Sequence, residues 1–146
     1  MPEERIQKVL AAAGVASRRA AEALVARYVG ADAIRLSPAS LETLAIVAYR
    51  QPVTRSAIER IRGVDSDYTV RSLLHRRLIV ELGRSEAPGR PFLYGTAFEF
   101  LERFGLESLD DLPPLDADVA ARLAEEGGVP LLPLGDMDAE GVVAGG

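Results

Sequence analysis

The sequence predicts a mainly α-helical chain with one small β-hairpin: a winged helix-turn-helix domain preceded by two short helices. Three observations predict it. Apolar residues recur at helical spacing in several stretches, each bounded by a capping residue and a breaker. Two of these stretches are short and joined by a tight Gly-containing turn, the helix-turn-helix arrangement. Two β-rich runs, LIVEL and FLYG, then flank the turn-rich loop GRSEAPGRP, which makes a hairpin, the wing.

Residues 3–29 read as two short helices. Ile6, Val9, Leu10 and Ala13 share one face, Gly14 offers a C-cap, and Ser17 is a suitable N-cap for a second helix running to Val29. Ser37-Pro38 opens the next helix, because proline at the first helical position loses no needed N–H. Its apolar stripe is Leu41, Leu44, Ala45 and Ala48, and Gln51-Pro52 ends it. Thr54 caps a third helix with Ala57, Ile58 and Ile61 inward, broken by Gly63. Asp65 or Ser66 caps a fourth, with Val70, Leu73 and Leu74 inward. After the hairpin, Thr96 and Glu99 are spaced as a capping box for a last helix, AFEFLERF, stopped by Gly105. Asp110 and Asp111 cap a turn before Pro113.

The chain divides into a two-helix segment at 1–30, a junction at 31–35, the winged-helix domain at 36–115, and a tail at 116–146. That tail is Gly- and Pro-rich and acidic, and is expected to be mainly disordered, although DVAARLAEE has the pattern for two helical turns.

Charge is unevenly spread over the net −5. Residues 36–105 hold 10 basic and 8 acidic groups, whereas residues 106–146 hold one base, Arg122, against 10 acids. Whole-chain acidity supplies no general attraction to phosphate. With 0 cysteines there is no disulfide and no thiolate metal site, which fits a reducing cytoplasm. No apolar run approaches the length of a membrane span, and the first ten residues lack the apolar core of a signal peptide.

No catalytic constellation is expected, and no metal or cofactor site. His75 is the sole histidine and has no Ser-His-Asp or metal-ligand spacing around it, so it reads as a surface histidine near a helix end. The adjacent carboxylates Asp110 and Asp111 diverge and make a poor acid/base pair. A helix-turn-helix raises the question of DNA, whose readers place the start of the second helix against base edges. Here that start is Asp65, Ser66, Asp67 and Tyr68, and two carboxylates would face phosphates badly. Arg71, Arg76, Arg77, Arg84 and Arg90 nevertheless allow a basic strip along the helix end and wing, and weak DNA contact.

The stretches AYRQPVTR, RGVDSD, PGRPFLYGT and FGLESLDDLPPL, in this order, resemble the C-terminal winged-helix domain of the segregation and condensation protein B (ScpB) family. The resemblance spans residues 36–115. It implies a non-catalytic subunit of the bacterial condensin-like complex, binding the kleisin ScpA and through it the SMC ATPase. It further implies a role in chromosome condensation and partition during cell division, at the nucleoid in the cytoplasm. Motif density makes Tyr49, Arg50, Gln51, Pro52, Arg62, Gly63, Arg84, Pro88, Gly89 and Arg90 the partner-binding candidates.

The family dimerises mainly through an N-terminal winged-helix domain. In its place, residues 5–25 (RIQKVLAAAGVASRRAAEALV) resemble the first two helices of an S4 RNA-binding domain from a ribosomal pseudouridine synthase. That second resemblance adds Arg18 and Arg19 to Arg71, Arg76 and Arg77 as nucleic-acid candidates. The synthase's catalytic aspartate motif is missing, and two amphipathic helices here also suit simple packing onto the winged helix.

Overall fold

The computed structural model describes residues 2–27 and 36–126, with α1 side chains from Gly14 to Ala26. Among these residues the order is α1 (Pro2–Arg27), α2 (Pro38–Arg50), α3 (Arg55–Arg62), α4 (Asp67–His75), β1 (Ile79–Arg84), β2 (Phe92–Thr96), α5 (Phe98–Arg103), a 3₁₀ turn (Leu109–Asp111) and α6 (Ala117–Glu126). The fold is thus mainly helical with a two-stranded antiparallel sheet, and α3, turn and α4 followed by the hairpin make the winged helix-turn-helix.

The caps explain the boundaries. Ser37 accepts the backbone N–H of Ser40 and Thr54 that of Ala57, so α2 and α3 start where their side chains satisfy orphan donors. Gly63, at φ 81°, ends α3 in the left-handed conformation that glycine adopts without steric cost. At α4 the labour is divided: Ser66 stands at the N-cap position without a capping side-chain bond, and the Asp65 carboxylate accepts the Asp67 N–H at 3.1 Å.

Helix α4 closes on a Schellman pattern. The N–H of Leu78 donates to the Leu73 carbonyl and that of Arg77 to the Leu74 carbonyl, both at 3.0 Å. The left-handed position in that motif is Arg77, at φ 63°, not a glycine.

The expected pair of N-terminal helices is corrected to the single helix α1. Gly14 in a helix interior costs about 1 kcal/mol relative to alanine, too little to break a helix whose following turns are buried. A Cβ there would lie 3.7 Å from the Arg62 carbonyl, so Gly14 marks the close approach of α1 to the end of α3. Ser17 is no N-cap; its hydroxyl donates back to the Gly14 carbonyl (3.0 Å) and to Glu42 Oε1 (3.3 Å). Ala16, Ala20 and Leu24 recur at i, i+4, i+8 and are buried against α2, α3 and α6. Ile6, Val9, Leu10 and Ala13, and the 31–35 junction, lie outside the described side chains.

A second correction concerns the tail. Residues 117–126 form α6, and Val119 and Leu123, four apart, are buried in the common core. Residues 127–146 lie outside the description.

The capping box expected at Thr96 and Glu99 does not form. Ala97 is the N-cap of α5 without a side-chain bond, Glu99 pairs with Arg103 one turn on, and Thr96 is held by Gln51. A capping box stands instead at the 3₁₀ turn, where Ser108 and Asp111 exchange bonds; the turn was expected at Asp110–Asp111, but its N-cap is Ser108.

In the hairpin, Ile79 faces Thr96 and Arg84 faces Phe92, with Leu82 bulged out of register. Val53, just after α2, bridges Tyr94 and adds a one-residue third strand. The core is one cluster of residues from helices α1 to α6 and the hairpin, including Leu24, Leu44, Ile58, Ile61, Leu73, Ile79 and Phe100.

Candidate partner-binding surfaces

The candidate residues separate into internal and exposed groups. At the end of α2, Tyr49 donates its hydroxyl to the Pro113 carbonyl at 2.6 Å, tying the helix to the 109–115 segment. Burial pushes its hydroxyl up to about 12. Gln51 clasps β2: its Oε1 accepts the Thr96 N–H (2.9 Å), and its Nε2 donates to Thr96 Oγ1 and to the Ala48 carbonyl, both at 3.1 Å. The Gln51–Pro52 peptide is cis. That clasp leaves no room at Gly95, where a Cβ would lie 2.6 Å from Leu82 Cδ1 and 2.7 Å from Gln51 Oε1.

Arg50 is the unusual member. It is only 1% exposed, and burial lowers its pKa. None of its three guanidinium nitrogens has a hydrogen-bond partner among the described residues. It lines a cavity of about 810 Å³ bounded by Leu109, Leu112, Leu115 and the α6 residues Ala120 and Leu123.

Arg62 is committed to the fold. Its Nε reaches Glu42 Oε1 at 3.3 Å and its Nη1 donates to Ser66 Oγ at 2.8 Å, while Ser17 donates to the same Glu42 oxygen. With the Arg62 and Glu42 side chains 9% and 16% exposed, this network joins α1, α2, α3 and the start of α4. Gly63 serves the same turn.

The wing candidates are exposed. Arg84 lies over the Phe92 ring, 4.2 Å from its centroid, and donates to the Arg90 carbonyl at 3.0 Å. Pro88 and Gly89 form the exposed tip, and Arg90 follows at φ 45°. Val80, Leu82 (55% exposed) and Phe92 add apolar surface beside these arginines, a signal that the emphasis on arginine passed over.

The nucleic-acid candidates do not converge. Arg18 and Arg19 are on α1, and Arg19 lies 3.8 Å from Asp116. Arg71 pairs with Asp67 at 3.0 Å, and the other Asp67 oxygen takes Arg55 at 2.8 Å. Arg76 and Arg77 are exposed at the far end of α4. At its start, a hydrogen bond from the Asp67 N–H is the main cause holding the Asp65 carboxyl below its usual range. The carboxylates at the start of α4 are thus engaged with Arg55, Arg71 and the Asp67 N–H, with Tyr68 beside them 75% exposed. Among the described residues no cluster of three His, Asp or Glu side chains could hold a metal, and no helix is long and apolar enough to cross a membrane.

Comparison with known proteins bears on what these surfaces serve. The family model for the segregation and condensation complex subunit ScpB matches residues 5–115. Segregation and condensation protein B of Bacillus thuringiensis (strain Al Hakam) is 60% identical over 86 residues, 59% of this chain and 45% of the relative. The protein of the same name from Bacillus cereus (strain B4264) gives the same figures. The chain thus spans less than half the length of these relatives.

Among solved structures, ScpB from Mycobacterium tuberculosis is 49% identical over 51% of this chain and 46% of its own, with a TM-score of 0.47. A conserved hypothetical protein from Chlorobium tepidum is 51% identical over 49% and 44%, also at 0.47. The family match begins at residue 5, so the stretch resembling the opening of an S4 domain falls inside it, within the single helix α1. On the match over residues 5–115, this chain belongs to the ScpB family of segregation and condensation complex subunits.

Proposed function

We propose that this chain acts as a non-catalytic adaptor of the bacterial SMC complex. It binds the kleisin ScpA and, through it, SMC, and so supports chromosome condensation and partition during cell division, in the cytoplasm at the nucleoid. The observation that carries this reading is the family match over residues 5–115, which takes in α1 together with the winged helix. The geometry supports binding to a protein more than to DNA. Asp67 at the start of α4 takes up Arg55 and Arg71 in ion pairs that phosphate would have to break, and the wing mixes exposed apolar side chains with arginine, the make-up of a protein interface. No catalytic group is proposed.

Titration calorimetry of the chain with purified ScpA is the direct test. Saturable binding at micromolar concentration is expected, weakened when Phe92 and Arg84 are changed to alanine. No heat at that concentration refutes the adaptor reading. Nucleic-acid contact through Arg76 and Arg77 would instead show affinity for duplex DNA or structured RNA falling steeply with salt.

A further inference from the structure

The wing tip is held by its own hydrogen bonds around two arginines. The Arg90 N–H donates to the Ala87 carbonyl at 2.8 Å, and Gly89 between them stands at φ 84°, so Pro88-Gly89 makes a type II turn. Beneath it the Ser85 N–H donates to the Pro91 carbonyl at 2.8 Å, and the Ser85 hydroxyl accepts the Ala87 N–H at 3.0 Å. Arg90 follows the turn at φ 45°, in the left-handed region that glycine adopts without steric cost. Its carbonyl accepts a bond from Arg84 Nη1, and the Phe92 ring lies against the same Arg84 guanidinium. Arg84 is thus oriented from two sides while both arginines remain exposed.

Neither guanidinium has a carboxylate partner. Arg19, Arg55, Arg62, Arg71 and Arg103 stand in ion pairs, whereas among the described residues none engages Arg84 or Arg90. Glu86, exposed at the same tip, pairs with neither. An arginine kept where glycine would be easier, beside a second one oriented by an aromatic ring, is charge placed for an external anion. Hydrocarbon adjoins it: Phe92 lies opposite Arg84 in the hairpin, and Leu82 stands two residues before Arg84, both exposed.

We propose that the wing tip takes an acidic segment of a partner polypeptide, with carboxylates on Arg84 and Arg90 and aliphatic side chains on Phe92 and Leu82. Charge complementarity selects this occupant. A two-fold contact with a second copy would set wing arginines against wing arginines. A nucleic-acid backbone would leave Phe92 and Leu82 against phosphate and meet the Glu86 carboxylate as well. The proposal rests on the adaptor reading and names the kind of segment it takes and the residues that anchor it.

The test follows the Arg84 and Arg90 Nε–Hε resonances and the Leu82 and Phe92 amides by NMR in the full chain. The probes are acetyl-Ser-Leu-Glu-Glu-Leu-Ser-amide, its counterpart with both glutamates replaced by glutamine, and a short DNA duplex. The glutamate peptide should shift all four signals, and the glutamine peptide should bind about tenfold more weakly, as for two exposed charge pairs lost. Arg90→Gly should keep or raise the urea midpoint yet bind the glutamate peptide about threefold more weakly, an effect that a merely structural residue would not give. The double variant Arg84→Gln with Arg90→Gly should bind both peptides alike.

Equal binding of the two peptides to the native chain, or no response to either at millimolar concentration, overturns the proposal. So does tighter binding of the duplex than of the glutamate peptide at the same salt, which would make the tip a nucleic-acid contact. Shifts of the Arg84 and Arg90 signals with concentration of the chain alone would assign the tip to a second copy and overturn it too. The adaptor reading is tested apart from this. ScpA binding the double variant as tightly as the native chain removes the wing anchor alone, whereas ScpA failing to bind the native chain removes the adaptor reading.

Discussion

Replacing Arg50 by methionine should make this protein more stable, against the usual direction for a buried substitution. The side chain is 1% exposed and its guanidinium has no partner among the described residues. Folding therefore strips water from a charge and returns nothing to it. Methionine keeps the apolar stem, fills a similar volume and removes the charge. Apolar replacement of buried ionic groups stabilises by about 1–4 kcal/mol, and a guanidinium without a partner belongs toward the middle of that range, about 2 kcal/mol. For a chain of this size that corresponds to a rise in melting temperature of roughly 5–8 °C. Urea denaturation followed by circular dichroism measures it, with the slope m unchanged and the midpoint moved up. A midpoint lowered by the equivalent of about 1 kcal/mol or more refutes the reasoning, because Arg50 would then have a compensating anion in the free protein.

Three further outcomes follow from the geometry. Gly95→Ala should cost about 1–3 kcal/mol in chemical denaturation, because the added Cβ meets Leu82 and the Gln51 amide that holds β2. Arg77→Gly should instead stabilise by about 1 kcal/mol, since an exposed residue at φ 63° in a Schellman motif suits glycine; an unchanged midpoint would show that Arg77 makes a compensating contact. Tyr49 predicts a loss at high pH. Its hydroxyl ionises at 10.0 in the unfolded chain and at about 12 when folded, so the unfolded state releases its proton first. The contribution is intact below pH 10 and declines by about 2 kcal/mol as pH rises toward 12. Burial pushes Tyr94 up as well, so the measurement is the difference in urea midpoint between the native chain and Tyr49→Phe across that window, and a constant difference would refute it.

Much of the fold was legible because local chemistry terminates its elements. Ser37-Pro38, Gln51-Pro52, Thr54, Gly63 and Gly105 each act where their side chain or backbone freedom is needed, within one or two residues of themselves. The hairpin was legible for the same reason, since its strands and turn are contiguous. Distant burial decided the rest. Gly14 and Ser17 carry a break-and-cap signature, yet the face Ala16, Ala20 and Leu24 buries continuously and holds α1 in one piece. The pattern for two helical turns in DVAARLAEE lay in a tail expected to be mainly disordered, and it became helix α6 where Val119 and Leu123 are buried in the common core; Thr96 gave up a capping box for Gln51, 45 residues away.

The candidate site divides the same way. The motifs around Tyr49 to Pro52, Arg62 and the wing identify the family from sequence alone, but they do not distinguish a residue that holds the fold from one that faces a partner. Only the tertiary structure does. It places the Arg62 charge against Glu42, leaves Arg84 on the surface over Phe92, and encloses Arg50 without any counter-ion among the described residues. The sequence by itself determined the caps of α2 and α3, the wing and the family, because those rest on neighbours in the chain. Which arginine is satisfied and which is not depends on carboxylates and carbonyls far along the chain, and folding alone brings those within reach.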